Sequence, residues 1–204
     1  MISLDSLTER LMLAVPAWNE KPTSDQYQQA VIEAAADFSR RAPMMKATML
    51  EVTRNQPMYL LPDDFVRLIR LEGGYNGAGL INSAEGLIPV GSGFREQIAV
   101  AGRTLSIYPT PGYTMRRRLL YQAAYVEVEG NFEDMTEDTE RVVLLKAQAT
   151  ALTLQANAAA QRAWQYQIGD ERVNMERQAG EMRAQAEALE RTYLEAVTAY
   201  VGIV

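Results

Sequence analysis

The chain has 204 residues, with 26 acidic side chains against 20 basic ones and a net charge of −6. It contains no histidine and no cysteine. That excludes disulfides, thiolate nucleophiles, the usual zinc sites and the commonest general base, and the acidic balance argues against gripping duplex DNA over the whole surface.

Hydrophobic residues make up 48% of the chain, enough for a core in one domain spanning 1–204. No run approaches the ~18 consecutive apolar residues that cross a bilayer. The opening MISLDSLTERLMLAVPAW lacks a basic start and a long apolar stretch. The expectation is a soluble, unexported protein with no membrane partner.

Residues 1–43 read as helical. Asp5 or Ser6 is placed to cap a short helix through Leu7, Leu11 and Leu13, ended by Pro16. Thr23 and Gln26 have capping-box spacing, with Ser24 an alternative cap. Tyr27, Ala30, Val31, Ala34 and Phe38 then recur at helical spacing up to Pro43.

From 44 to 131 alternation replaces the 3.6-residue period. ATMLEV, FVRLIRLE, EQIAVAG, TLSIYP and RRLLYQAAYVEVEG read as short strands of a small antiparallel β-region. A hairpin turn is expected at Ala101-Gly102-Arg103, and an exposed Gly- and Asn-rich loop over 72–86.

Residues 132–204 return to helix. Asp134, Glu137, Asp138 and Glu140 suit the start of a helix over about 137–166, roughly 45 Å long and rich in alanine. A break is expected at Gly169, with Asp170 capping the next helix. On that helix Met175, Ala179, Met182, Ala186, Leu189, Tyr193, Ala196 and Tyr200 alternate four and three residues apart, the seam of a helix lying at a shallow angle on its partner. The apolar end AYVGIV calls for a covering surface. The expected class is therefore α+β, mainly α. A bundle of the N-terminal helix and two long C-terminal helices, 1–43 and 132–204, carries a strand-rich insertion at 44–131.

No phosphate loop, nucleophile elbow or dinucleotide fingerprint occurs. GSGFRE at 91–96 lacks a following helix, which a phosphate turn needs. Asp63 and Asp64, in YLLPDDFVRLIRLEGGY, read either as an acid pair or as turn chemistry after Pro62 with Phe65 and Leu68 as anchors. Neighbours in sequence diverge in space, which favours the turn. Arg116, Arg117 and Arg118 form a basic cluster that suits either phosphate or pairing with Glu127, Glu129 or Glu133. The carboxylates at 133–140 do not follow a calcium-loop pattern. Trp164, Tyr166 and the Met/Tyr seam suit core or subunit contact better than a ligand pocket. No metal, cofactor or catalytic set emerges, so the residues point to a non-enzymatic structural or interaction protein.

The segment carrying Leu61, Pro62, Asp64, Phe65, Arg67, Leu68 and Arg70 resembles a recurring one in head-to-tail adaptor (connector) proteins of tailed bacteriophages. These include the tail tubular A type and related head-completion proteins. The order of helix, strands and two long helices is similar too, as is a break carried by Tyr166, Ile168, Gly169 and Asp170. The resemblance implies a homo-oligomeric ring, commonly of twelve subunits, in the virion neck. Its partners would be the portal protein and a tail, nozzle or other neck protein. DNA would pass through its channel without sequence-specific binding, and assembly would take place in the host cytoplasm. Candidate docking or subunit-interface residues are Tyr75, Asn76, Arg116, Arg117, Arg118, Tyr200, Val201, Ile203 and Val204. The alternatives are another neck or tail-completion protein, or a histidine-free carboxylate hydrolase, which needs acids clustered in a cleft. A DNA-binding regulator would need a basic recognition helix that neither long helix offers.

Overall fold

The computed structural model describes residues 2–75, 97–112, 114–165 and 169–203. In chain order its elements are β1 (Ile2–Ser3), α1 (Leu4–Ala14), α2 (Ser24–Arg41), β2 (Met44–Val52), β3 (Met58–Leu60), β4 (Phe65–Tyr75), β5 (Gln97–Ala101) and β6 (Thr104–Tyr108). There follow β7 (Met115–Ala123), β8 (Glu127–Val128), β9 (Asn131–Phe132), α3 (Glu137–Gln165) and α4 (Gly169–Ile203). The class is α+β, mainly α. The chain divides into two compact units, residues 1–42 with 125–204, and residues 43–124.

The first unit is helical. The Ser3 side chain, not Asp5 or Ser6, caps α1, accepting from the Ser6 N–H at 3.1 Å. The reason is β1, which brings the chain in extended at Ser3 and moves the cap upstream. Leu7 and Leu11 are buried, four residues apart on one face. Leu13 is 81% exposed, because two further residues rotate it to the opposite side. The capping box on α2 is complete: Thr23 N–H donates to Gln26 Oε1 (2.9 Å) and Gln26 N–H to Thr23 Oγ1 (3.4 Å). All five apolar residues of the expected α2 stripe, Tyr27 to Phe38, are buried.

The long helices α3 and α4 lie antiparallel, as Lys146 near one end of α3 meets Glu190 late in α4 at 2.6 and 2.8 Å. At 29 and 35 residues they extend roughly 44 and 52 Å. Ala147, Ala151, Ala156 and Ala159 are fully buried on α3, and small side chains let the partner helix approach closely. On α4 Ala179, Ala186 and Tyr193 are buried, while Met175, Met182, Leu189, Ala196 and Tyr200 are half-buried, so the expected seam is the packed one. Arg10 pairs with Glu140, and Gln155 Nε2 donates to the Pro16 carbonyl at 2.6 Å, fixing α1 and its exit to α3.

One network joins three helices. Tyr193 OH donates to Asp37 Oδ2 at 2.9 Å, Arg41 Nε donates to the same oxygen at 2.8 Å, and the Lys146 ammonium lies 5.7 Å from the Tyr193 ring. Burial pushes the Asp37 carboxyl up. The hydrogen bonds from Arg41 and Tyr193, with the charges of Arg41 and Lys146, outweigh it and hold the carboxyl below its usual value. Burial, then the Asp37 bond, raises the Tyr193 phenol.

Residues 125–131 belong with the helices rather than with the strand region read from 44 to 131. β8 and β9 form a hairpin that β1 extends, with Ile2 opposite Phe132, and the Leu4 N–H donates to the Gly130 carbonyl at 2.9 Å. The stretch read as one strand from Arg117 to Gly130 is therefore two, β7 and β8.

The second unit holds two antiparallel three-stranded sheets, in orders β2-β7-β4 and β3-β6-β5. Val52, Leu71, Leu119 and Tyr121 from the first share a core with Tyr59, Leu105 and Ile107 from the second. β5 and β6 turn at Gly102-Arg103 as expected, with Gly102 at φ +57°, a conformation glycine adopts without penalty. β4 runs eleven residues against nine in β7, with register shifts after Phe65, Leu68 and Leu71. Among the described residues no helix is long and apolar enough to cross a membrane.

Replacing Asp37 with Ala at pH 7 is expected to cost about 1–3 kcal/mol. Because the folded carboxyl is depressed, that contribution is complete above the unfolded value of 3.8 and vanishes as pH falls through the lower folded value. In urea titrations of both chains, the difference between them should shrink as pH falls from 7 toward 2.

Candidate functional site

The turn at Pro62–Phe65 is closed by the Phe65 N–H donating to the Pro62 carbonyl at 3.1 Å. Its two aspartates have separate fates. Asp63 is exposed and pairs with Arg103. Asp64 is mostly covered: Oδ2 accepts from Lys46 Nζ of β2 at 2.7 Å, and Oδ1 from Tyr121 OH of β7 at 3.0 Å. The Asp64 carbonyl accepts the Ala124 N–H at 2.8 Å. Both carboxylate oxygens and the carbonyl are thus engaged, and the residue fixes the start of β4 to its sheet. Phe65 stacks on the Tyr121 ring at 5.8 Å, and Leu68 packs on the same core. Leu61 is buried and its N–H donates to the Arg103 carbonyl at 2.9 Å. The geometry is turn chemistry extended into a cross-strand anchor; the two carboxylates do not converge on one atom.

The three consecutive arginines diverge as neighbours on a strand must. Arg117 points inward and is buried, donating to the Glu72 carbonyl at 3.3 Å and the Leu71 carbonyl at 3.4 Å. It is therefore sheet structure, not a surface contact. Arg118 is half-exposed, 3.7 Å from Glu72, which also pairs with Arg70. Within its own unit this cluster meets Glu72, on the adjacent strand β4. Arg116 and Arg67 are exposed.

Directly opposed residues of an antiparallel pair share a face. The register therefore sets Met45, Gln122 and Arg67 in one row, Ala47, Leu120 and Arg70 in the next, Met49 beside Arg118, and Glu51 beside Arg116. These rows lie on the face of the β2-β7-β4 sheet opposite the core. Met45 and Met49 are 58% and 47% exposed. The bulged residues Val66 and Ile69 of β4 are exposed as well. Composition alone misses this face, because its residues come from three separated segments.

At the end of α4, Tyr200 is half-buried, its ring 5.4 Å from Phe38 edge-on, and Phe38 is also 5.4 Å from Tyr125. Burial, then the bond with Tyr200, raises the Tyr125 phenol. Tyr200 is thus core-facing, while the next residue, Val201, is 51% exposed. Ile203 ends α4. Asn76, the loop from 76 onward, GSGFRE at 91–96, Tyr166, Ile168 and Val204 lie outside the described residues. Among the carboxylates at 133–140, Glu140 is buried against Arg10. No group of three or more acids among the described residues is placed to hold a metal ion.

No family model matches the chain, and no curated protein matches it. Among solved structures it is similar to a chain described as "Neck of empty GTA particle computed with C6 symmetry". The identity is 14% over 82% of this chain and 79% of that one, with a TM-score of 0.25. A likeness of that size places no constraint on what this chain does.

Replacing Asp64 with Ala is expected to destabilise the chain by about 1–3 kcal/mol, since Lys46 and Tyr121 both lose a partner. Replacing Asp63 with Ala should change stability by less than about 0.5 kcal/mol. Paired denaturant titrations measure the difference; equal losses would contradict the assignment of Asp64 as the anchor.

Proposed function

We propose that the chain is a structural protein of a tailed-phage virion. It forms a ring adaptor in the neck, between the portal and the tail, nozzle or another neck protein, with a central channel through which DNA passes. Twelve copies follow the adaptor pattern.

The observation that carries the reading is the Leu61-Pro62-Asp63-Asp64-Phe65 turn. The pattern of the phage adaptors specifies leucine, proline, the second acid and phenylalanine, and leaves the position between proline and that acid open. In this chain the second acid, Asp64, is the one bonded to β2 and β7, whereas the residue at the open position, Asp63, is exposed at 85%. A local motif and its non-local bonding partners thus agree on which positions matter. The long alanine-rich pair α3 and α4 supports the reading as well, since close-packed helices make a stiff wall. A ring contact joins two different surfaces of each copy, and its closure sets the number of subunits. The function needs no catalytic residue and no cofactor.

Mixing the purified chain with the portal of its own phage and imaging the mixture by cryo-electron microscopy tests the proposal. A ring seated on the portal is the expected result. Failure to bind any portal or tail ring overturns it. Removing residues 201–204 leaves the Tyr200–Phe38 contact in place, so it should spare the thermal midpoint while weakening portal binding. Unchanged binding would remove Val201, Ile203 and Val204 as docking residues.

A further inference from the structure

The net charge of −6 is unevenly divided. Residues 43–124 carry nine basic and six acidic side chains, a net +3. The rest of the chain carries eleven basic and twenty acidic, a net −9. Within the basic unit the outer face of the β2-β7-β4 sheet presents Arg67, Arg70, Arg116 and Arg118 against Glu51 and Glu72. Within the acidic unit, residues 125–140 hold seven carboxylates and no basic residue; Glu129, Glu133, Glu137 and Asp138 among them are exposed.

We propose that the outer face of this sheet is one half of a contact between copies of the chain. The other half is the acidic segment at Glu129–Asp138 of a second copy. The choice of a protein occupant follows from the exposed Met45 and Met49 beside the arginines. Methionine and arginine are enriched where proteins meet, whereas a phosphate backbone rewards lysine and arginine alone. The choice of a second copy follows from charge: the acidic surface that complements the sheet is already carried by the same chain. Because the two halves are different surfaces, the contact runs head to tail and leaves each copy free to bind on both sides, as a ring requires. The inference rests on the reading of the chain as a ring subunit and names the surfaces that would meet.

The test begins with analytical ultracentrifugation across a range of salt. Wild type should self-associate at low salt and weaken as salt rises. The double variant Arg67→Glu with Arg116→Glu should raise the apparent dissociation constant at least about tenfold. Glu133→Lys with Glu137→Lys should do the same, and an equimolar mixture of the two variants should recover association, through one native and one charge-reversed junction. Because the native chain has no cysteine, an Arg67→Cys copy mixed with a Glu133→Cys copy provides a second readout, a disulfide between chains at that pair alone. Self-association that persists unchanged in Arg67→Glu with Arg116→Glu overturns the contact while leaving the ring intact. A wild type that stays monomeric at low salt also overturns it, and the ring reading then stands or falls on portal binding. Duplex DNA bound by wild type and lost in the sheet variant, with association unaltered, assigns the face to phosphate and overturns it as well.

Discussion

Each of the two compact units is tied by one carboxylate that has been drawn mostly out of water. A carboxylate in that position is destabilising unless its oxygens are satisfied, so the groups around it are constrained in turn. Asp37 collects Tyr193, from the far end of the sequence, together with Arg41; Asp64 collects Tyr121 and Lys46. The two arrangements share a chemistry, a phenol and a cation on one acid, in unrelated elements, and on Asp37 a second cation, Arg40, reaches Oδ1 at 3.2 Å. With neither cysteine nor histidine available, the chain has no disulfide and no structural zinc site of the usual kind. These polar clasps fix the alignment of elements that apolar packing alone would leave free to slide.

How much of this could be read beforehand depended on the range of the interaction. The capping box of α2, the α4 seam and the Gly102 turn are set by residues within four positions of one another, and the sequence displays them openly. The two-residue strands β1, β8 and β9 have no period to detect. Their pairing also explains why Ser3 rather than Asp5 or Ser6 caps α1. Leu13 fell outside the buried stripe because only Leu7 and Leu11 are a helical turn apart. The turn at Pro62 was legible, but its anchoring was not, since Lys46 and Tyr121 lie 18 and 57 residues from Asp64. Likewise Arg117 donates to two backbone carbonyls, which no pattern of side chains announces.

Averages concealed the charge pattern. A net −6 describes the whole chain, yet the strand unit alone is basic. The sign reversal becomes visible only once the boundaries of the units are known, and the clustering of arginines on one sheet face only once the register is known. The exposed face of the β2-β7-β4 sheet is assembled from distant segments.

The repeated register shifts along β4 have a further effect. Among the described residues β4 and β2 are the two margins of their sheet. A strand interrupted three times in eleven residues presents its outward amide and carbonyl groups out of step, so an incoming strand finds no continuous ladder to extend. β2 runs unbroken through nine paired residues. Among the described residues the sheet is thus irregular at one margin and regular at the other, so β2 is the margin that offers an even ladder to an added strand.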